Sequence, residues 1–271
     1  MIAMLETIVF QVTTRCPLNC PQCYMQKGKQ DLDVKIGAQL TRALANNGGR
    51  AVQFTGGEPL VYRELPSLIE CAAKNHLYSA VATSGVGCSI EILEHLKQCG
   101  LDLLCVSIND IDENRNAATR ESYELSLSAI RMAVDVGLPC CANVVVTDQN
   151  IDNINILSRC LFDIGVEAVF FLRPVKSFDG KYVPSVSVDT VHKLNNLVQT
   201  NADVLIVENC FKEYWEYVVQ KPFECKDAGK RTIFLNADGT MSPCSQLQQF
   251  RYNSIDEMMK EETLWKGGCC R

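Results

Sequence analysis

The chain has 271 residues, 47% of them hydrophobic, and a net charge of -6. That supplies one large core, and an acidic balance without a basic patch speaks against a nucleic-acid partner. No apolar run approaches the roughly 20 residues of a membrane span, and Met1-Ile2-Ala3-Met4-Leu5-Glu6 lacks a signal-peptide layout, so a cytoplasmic protein is expected.

The first apolar run, Leu5 to Val12, predicts a buried strand. It leads into Thr13-Thr14-Arg15-Cys16-Pro17-Leu18-Asn19-Cys20-Pro21-Gln22-Cys23-Tyr24, where Cys16, Cys20 and Cys23 stand at C-x3-C-x2-C. Thiolates are soft ligands that suit iron–sulfur clusters or zinc. Three on one loop can hold three irons of a [4Fe–4S] cube and leave the fourth open to a small molecule. Zinc with a distant fourth ligand, or plain structural thiols, are the alternatives.

An amphipathic segment, Val34 to Ala45, follows, and then the second run, Ala51 to Phe54. It ends in Thr55-Gly56-Gly57-Glu58-Pro59. Two glycines let the backbone approach a ligand closely, and exposed main-chain groups with Glu58 can grip a charged amine; an ordinary turn is the alternative. Further runs are Leu77 to Ala82, Leu101 to Ile108, Cys140 to Val146 and Ala168 to Leu172. Helical patterns alternate with them at Leu65 to Lys74, Ile90 to Gln98, Tyr123 to Val136 and Ile151 to Ile164. Gly48, Gly100, Gly137 and Gly165 read as helix stops. This rhythm predicts an α/β fold with a parallel sheet of six βα units, too few for a closed eight-strand barrel. An open, curved partial (β/α)6 barrel over residues 1–185 is therefore expected. Its ligands should gather at the C-terminal ends of the strands, where the cysteine loop lies.

The pattern breaks from Ser177 to Pro184. A helical linker region, 186–220, is expected to hold a helix over Val188 to Val198, the short run Val204 to Val207, and an aromatic helix over Phe211 to Val219. The tail, 221–271, carries Cys225, Gly239 and Cys244 at C-x13-G-x4-C around a hairpin with Asp238-Gly239 as its turn, and then Cys269-Cys270. A hairpin flanked by cysteines can pinch a metal. Fifteen cysteines in so core-rich a chain suggest clusters and buried thiols rather than disulfides. Cys71, Cys99, Cys105 and Cys160 read as small core residues, and the three histidines as ordinary ones.

The cysteine loop and the Gly-Gly-Glu-Pro segment together resemble the radical S-adenosylmethionine (SAM) enzymes, a likeness that covers about residues 5–175. The resemblance implies that Cys16, Cys20 and Cys23 hold a [4Fe–4S] cluster, and that SAM chelates its open iron. Gly56, Gly57, Glu58 and Pro59 would contact the SAM amino group. The residue before the third cysteine is commonly aromatic in that family and lies near adenine; here it is Gln22, with Tyr24 adjacent. Looser matches are Thr83-Ser84-Gly85 after the third strand, Ser107 and Asn109 after the fourth, Arg120 as partner of the SAM carboxylate, Asn143 on the fifth strand, and Arg173 after the sixth. In the family the reduced cluster cleaves SAM to methionine and a 5′-deoxyadenosyl radical, which abstracts hydrogen from an unactivated C–H bond. A flavodoxin- or ferredoxin-type protein would supply the electron.

The tail resembles the start of the SPASM or twitch subdomains of the same superfamily. That implies one auxiliary [4Fe–4S] cluster, with Cys225 and Cys244 as ligands and Cys269 and Cys270 completing or flanking the set. Such enzymes mature ribosomally made peptides through thioether or carbon–carbon cross-links or by epimerisation. A peptide substrate is therefore expected. Because the cluster motif begins at Cys16, an N-terminal peptide-recognition domain is not expected, and a leader peptide would use the barrel mouth or a separate leader-binding protein. Cys210 is a candidate hydrogen-atom donor for an epimerase-type reaction, or a structural thiol. A twitch-type dehydrogenase of small molecules, or an electron carrier without catalysis, are the other readings.

Overall fold

The computed structural model describes residues 5–212, 225 and 227–265. Seven parallel strands alternate with helices in chain order. The strands are β1 (Thr7–Thr13), β2 (Ala51–Gly56), β3 (Tyr78–Thr83), β4 (Leu103–Ser107), β5 (Cys140–Val145), β6 (Ala168–Leu172) and β7 (Leu205–Val207). The helices are α1 (Val34–Asn46), α2 (Leu65–Lys74), α3 (Ile90–Gln98), α4 (Glu113–Ala117), α5 (Tyr123–Asp135), α6 (Ile154–Ile164) and α7 (Val188–Gln199). A hairpin follows, β8 (Thr232–Leu235) and β9 (Met241–Ser242), and then two short helices, α8 (Ile255–Lys260) and α9 (Glu262–Trp265).

Among the described residues, the nine strands form one sheet in the order β7-β6-β5-β4-β3-β2-β1-β8-β9, with β7 and β9 at its two ends. The sheet is therefore open, as a partial barrel requires. The strands expected from the apolar runs are β1 to β6. The Val204 to Val207 run supplies a further one, β7, which pairs in parallel with β6. The tail hairpin joins the same sheet, because β8 pairs in parallel with β1 through Thr7↔Thr232 to Phe10↔Leu235. The sheet is curved enough to bring far elements together. Phe178 N–H, after β6, donates to Cys23 O in the loop after β1 at 2.9 Å.

Local chemistry explains the helices. Asp33, Ser89 and Ser187 cap α1, α3 and α7 by accepting from the main-chain N–H groups of Lys35, Ile92 and Thr190. The four glycines expected to end helices all take positive φ. The core lies between sheet and helices. Phe10 and Phe54, paired across β1 and β2, are fully buried with ring centroids 5.5 Å apart. Most of the helix expected over Phe211 to Val219, and also Cys269 and Cys270, lie outside the described residues.

Candidate active site

Parallel strands carry their following loops to one end, so the cysteine loop after β1 and the Gly-Gly-Glu-Pro turn after β2 are neighbours. They are locked together. Gly57 N–H donates to Thr13 O at 2.7 Å, and Glu58 N–H to Arg15 O at 2.8 Å. A Cβ at Gly57 would lie 2.1 Å from Arg15 O, and one at Gly56 would lie 2.4 Å from Thr13 O. The partner that these glycines admit so closely is thus the backbone entering the cysteine loop. Arg15 adds a clamp that the sequence did not disclose. Its guanidinium forks onto Asp31 at 2.9 and 2.7 Å and reaches Val61 O at 3.0 Å. Asp31 also accepts from Thr13 Oγ1 at 2.6 Å. One carboxylate therefore ties the strand end and the residue before Cys16 to the segment before α1.

The three cysteines sit half-buried on this loop, with Cys23 N–H donating to Cys20 O at 3.1 Å. Burial raises the pKa of Cys16, offset by a main-chain hydrogen bond at Leu18; Glu58 and the Cys20 thiol raise it further. Burial also raises the pKa of Cys20, with the Arg120 charge opposing and the Cys23 thiol adding to it. The thiols thus feel one another. Yet among the described residues no three His, Cys, Asp or Glu side chains converge as the ligands of a single metal ion would.

Glu58 is fully buried and already engaged. It accepts from Thr83 Oγ1 at 2.6 Å, from Ser84 N–H at 2.9 Å, from the Ser84 hydroxyl, and from Leu60 N–H at 3.2 Å. Burial raises its pKa against those hydrogen bonds. Thr83 and Ser84 therefore meet the site through Glu58. Gln22 is also buried, its side-chain oxygen accepting from Asn109 Nδ2 at 3.0 Å and its N–H donating to Thr119 O at 3.1 Å. Asn109 donates to Thr119 Oγ1 as well and accepts from Val145 N–H. The position that is usually aromatic is thus built into a network joining the cysteine loop to the ends of β4 and β5. Arg120 lies beside Cys20, and its Nε is buried without a hydrogen-bond partner among the described residues. A buried guanidinium donor left open next to the thiols fits an anionic ligand group such as a carboxylate.

Ser107 on β4 pairs in register with Asn143 on β5, and the buried Arg173 follows β6. Cys210 is half-buried just after β7. In the tail, Cys225 Sγ accepts from Ala228 N–H at 3.5 Å, and Gly229 N–H donates to Pro243 O at 2.8 Å, which brings the turn after Cys225 against the residue before Cys244. Tyr24 stands between the two cysteine regions. Burial pushes its hydroxyl up to about 12 against a hydrogen bond with Ser245, and Cys23 and Cys244 both contribute to the rise. Sequence reasoning missed Asp31, Thr119 and Asn116. Asn116 accepts from Asn109 N–H at 2.8 Å.

A cluster-type thiol loop at the C-terminal edge of an open parallel barrel, clamped by a Gly-Gly-Glu-Pro turn, defines a class, and the chain belongs to the Radical SAM superfamily, whose family model matches residues 10–160. Among curated relatives, the PqqA peptide cyclase of Granulibacter bethesdensis is 31% identical over 154 residues, covering 54% of this chain and 41% of the relative. Among solved structures, Streptococcus suis SuiB bound to S-adenosylmethionine superposes with a TM-score of 0.75 at 15% identity, covering 96% of this chain and 66% of SuiB. The native protein anSMEcpe with bound AdoMet and the Kp18Cys peptide gives 0.68 at 16% identity, covering 97% and 80%. The chain thus spans less than half of the cyclase and about two thirds of SuiB. At these identities the solved structures speak for the fold.

Proposed function

We propose that this chain is a radical SAM enzyme that modifies a peptide, maturing a ribosomal product by a thioether or carbon–carbon cross-link or by epimerisation. The observation that carries the reading is the clamp at Gly57, which fixes the three-thiol loop beside the open Arg120 donor. The peptide preference rests on the relatives: a peptide cyclase by sequence, and by fold a SuiB structure bound to precursor peptide SuiA.

When bound, a [4Fe–4S] cluster with SAM supplies the one-electron chemistry that removes hydrogen from an unactivated C–H bond. Cys16, Cys20 and Cys23 would hold the cluster. Main-chain carbonyls of the Gly56–Gly57 turn would meet the SAM amino group, with Glu58 and Pro59 fixing the turn rather than gripping the ligand directly. Arg120 would take the carboxylate. Gln22, held by Asn109, and Tyr24 would border the nucleotide, and Ser107, Asn143 and Arg173 would line the mouth. Cys225 and Cys244 would ligate one auxiliary [4Fe–4S] cluster, with Cys269 and Cys270 as its further donors. Cys210 is the candidate hydrogen-atom donor, and a flavodoxin- or ferredoxin-type protein the electron source. Cys16, Cys20, Cys23 and the buried Cys99, Cys105, Cys140 and Cys141 are thiols rather than disulfides, which suits a reducing cytoplasm, and no described helix is long and apolar enough to cross a membrane.

Anaerobic reconstitution with dithionite and SAM tests the reading. The chain should release 5′-deoxyadenosine, and Cys16→Ala, Cys20→Ala or Cys23→Ala should abolish that release. No release from the intact chain would favour an electron carrier. Co-expression with a candidate precursor peptide should then lower its mass by two hydrogens or, if the product is epimerised, leave the mass unchanged in ordinary water and add one deuterium per altered centre in D2O.

A further inference from the structure

A cavity of about 390 Å3 opens between the residues after the third cysteine and the segment after Cys244. Tyr24 and Gln26 form one side, Lys176 and Phe178 a second, and Gln249 and Arg251 lie on the third. Its size falls within the roughly 300–1,000 Å3 of small-ligand sites, which suits a few residues of extended chain rather than a folded partner.

None of the lining residues is acidic and two are basic, in a chain of net charge -6. Arg251 is committed, since it pairs with Asp238 and donates to Gln248 O at 3.1 Å. Lys176 is exposed and has no ion pair among the described residues. Phe178 is 59% exposed, yet it is held in place. Its N–H donates to Cys23 O at 2.9 Å, and its turn is closed by Gly180 N–H to Ser177 O and Ser177 N–H to Tyr182 O, each 3.0 Å. Ser177 Oγ further donates to Asp179 at 2.8 Å and accepts from Tyr182 N–H at 3.0 Å. An aromatic ring presented on so fixed a turn loses little freedom when covered.

We propose that this groove docks an extended acidic peptide segment of the substrate. The Gln26 and Gln249 amides each offer a donor and an acceptor to the peptide main chain. Lys176 meets a carboxylate, and Phe178 takes an apolar side chain. The hydrogen bond from Phe178 to the carbonyl of Cys23 sets the docked segment beside the cysteine loop. This docking rests on the peptide reading above, with acidic character as its new content.

The test uses the reconstituted enzyme without reductant, so that no turnover occurs. Fluorescein-labelled Gly-Glu-Phe-Glu-Gly amide and its Gly-Lys-Phe-Lys-Gly counterpart are compared by fluorescence anisotropy at low and high salt. The acidic peptide should bind saturably, weaken with salt, and lose about tenfold in affinity with Lys176→Glu, while the basic peptide gains. Phe178→Ala should weaken the acidic peptide independently of salt. Should the Lys176→Glu protein fail to fold, Lys176→Gln is read for the same loss. No saturable binding of the acidic peptide, equal binding of both peptides, or an unaltered preference in folded, iron-loaded Lys176 variants would overturn the docking site. Because the readout is binding without chemistry, a chain that binds the acidic peptide yet modifies none would sink only the peptide-modifying function.

Discussion

Gly57 shows how tightly one residue can be set by its surroundings. Any side chain there must displace Arg15 O, 2.1 Å from the would-be Cβ, and Arg15 is fixed from its other end by Asp31 and Val61. Gly57→Ala should therefore cost about 1–3 kcal/mol, the range for overpacked sites. It should also lower the iron retained after anaerobic reconstitution. Urea melts of the apoprotein and an iron assay of the loaded one check both effects, and an alanine variant matching the parent in each would show that the clamp is slack. At this scale the sequence was legible where chemistry is local. Cys16, Cys20 and Cys23 announce themselves by spacing, and Gly56-Gly57 by their lack of side chains. Asp31, Thr119 and Asn116 did not, because each is an ordinary polar residue until the fold sets it beside Arg15, Gln22 or Asn109. The partners of Glu58 were hidden for the same reason: nothing near it in sequence says that Thr83 and Ser84, after the next strand, will donate to its two oxygens.

Among the elements, α2 and α3 fall at the bounds their periodicity indicates, because their apolar faces and stops are strong. The short helix α4 and strand β7 were harder to read. Five and three residues carry too little periodicity, and β7 exists because β6 offers it a parallel partner. The entry to α7 gives a prediction with a definite pH dependence. Asp148, after β5, accepts from Ser187 N–H at 2.7 Å and from Thr190 Oγ1 at 2.6 Å, fixing the first turn of α7 to the barrel. Burial pushes its pKa up, but the hydrogen bonds from Thr190 and Ser187 outweigh that and hold it below the ordinary 3.8. A depressed carboxylate stabilises the fold above its unfolded pKa, and that contribution is lost as pH falls through the folded value. Asp148→Asn should thus cost about 1 kcal/mol at neutral pH. The gap between variant and parent should close below pH 3.8. Urea titrations at neutral and acid pH measure it, and a gap that persisted unchanged into acid would assign the effect to something other than the carboxylate charge.

The whole molecule turns on where the tail hairpin belongs. Read as sequence, residues 221–271 form an appendage with cysteines of its own, and the hairpin with its Asp238-Gly239 turn is where that reading placed it. Its partner was not legible, since β8 must cross more than two hundred residues to pair with β1, and no local pattern encodes that choice. The consequence is mechanical. With β8 present, β1 is an interior strand flanked by β2 and β8; without it, β1 becomes an edge with a row of open main-chain groups. Ile233, Phe234 and Leu235 are also buried to 1% exposure or less. At about 1.5–3 kcal/mol for each buried side chain, their sum is comparable to the 5–15 kcal/mol by which a typical domain is stable at all. A chain cut after residue 212 should therefore fail to give a soluble, cooperatively unfolding monomer, and it should aggregate through β1 rather than merely lose the proposed auxiliary cluster. Size-exclusion chromatography and thermal melts of the cut chain decide the matter. A well-behaved monomer with native helix content would mean that the barrel closes its core without the hairpin and that the tail is a detachable module. Aggregation would mean that the loop carrying Cys16 is held at its strand by the same hairpin that precedes Cys244, so that the two cysteine regions share one sheet.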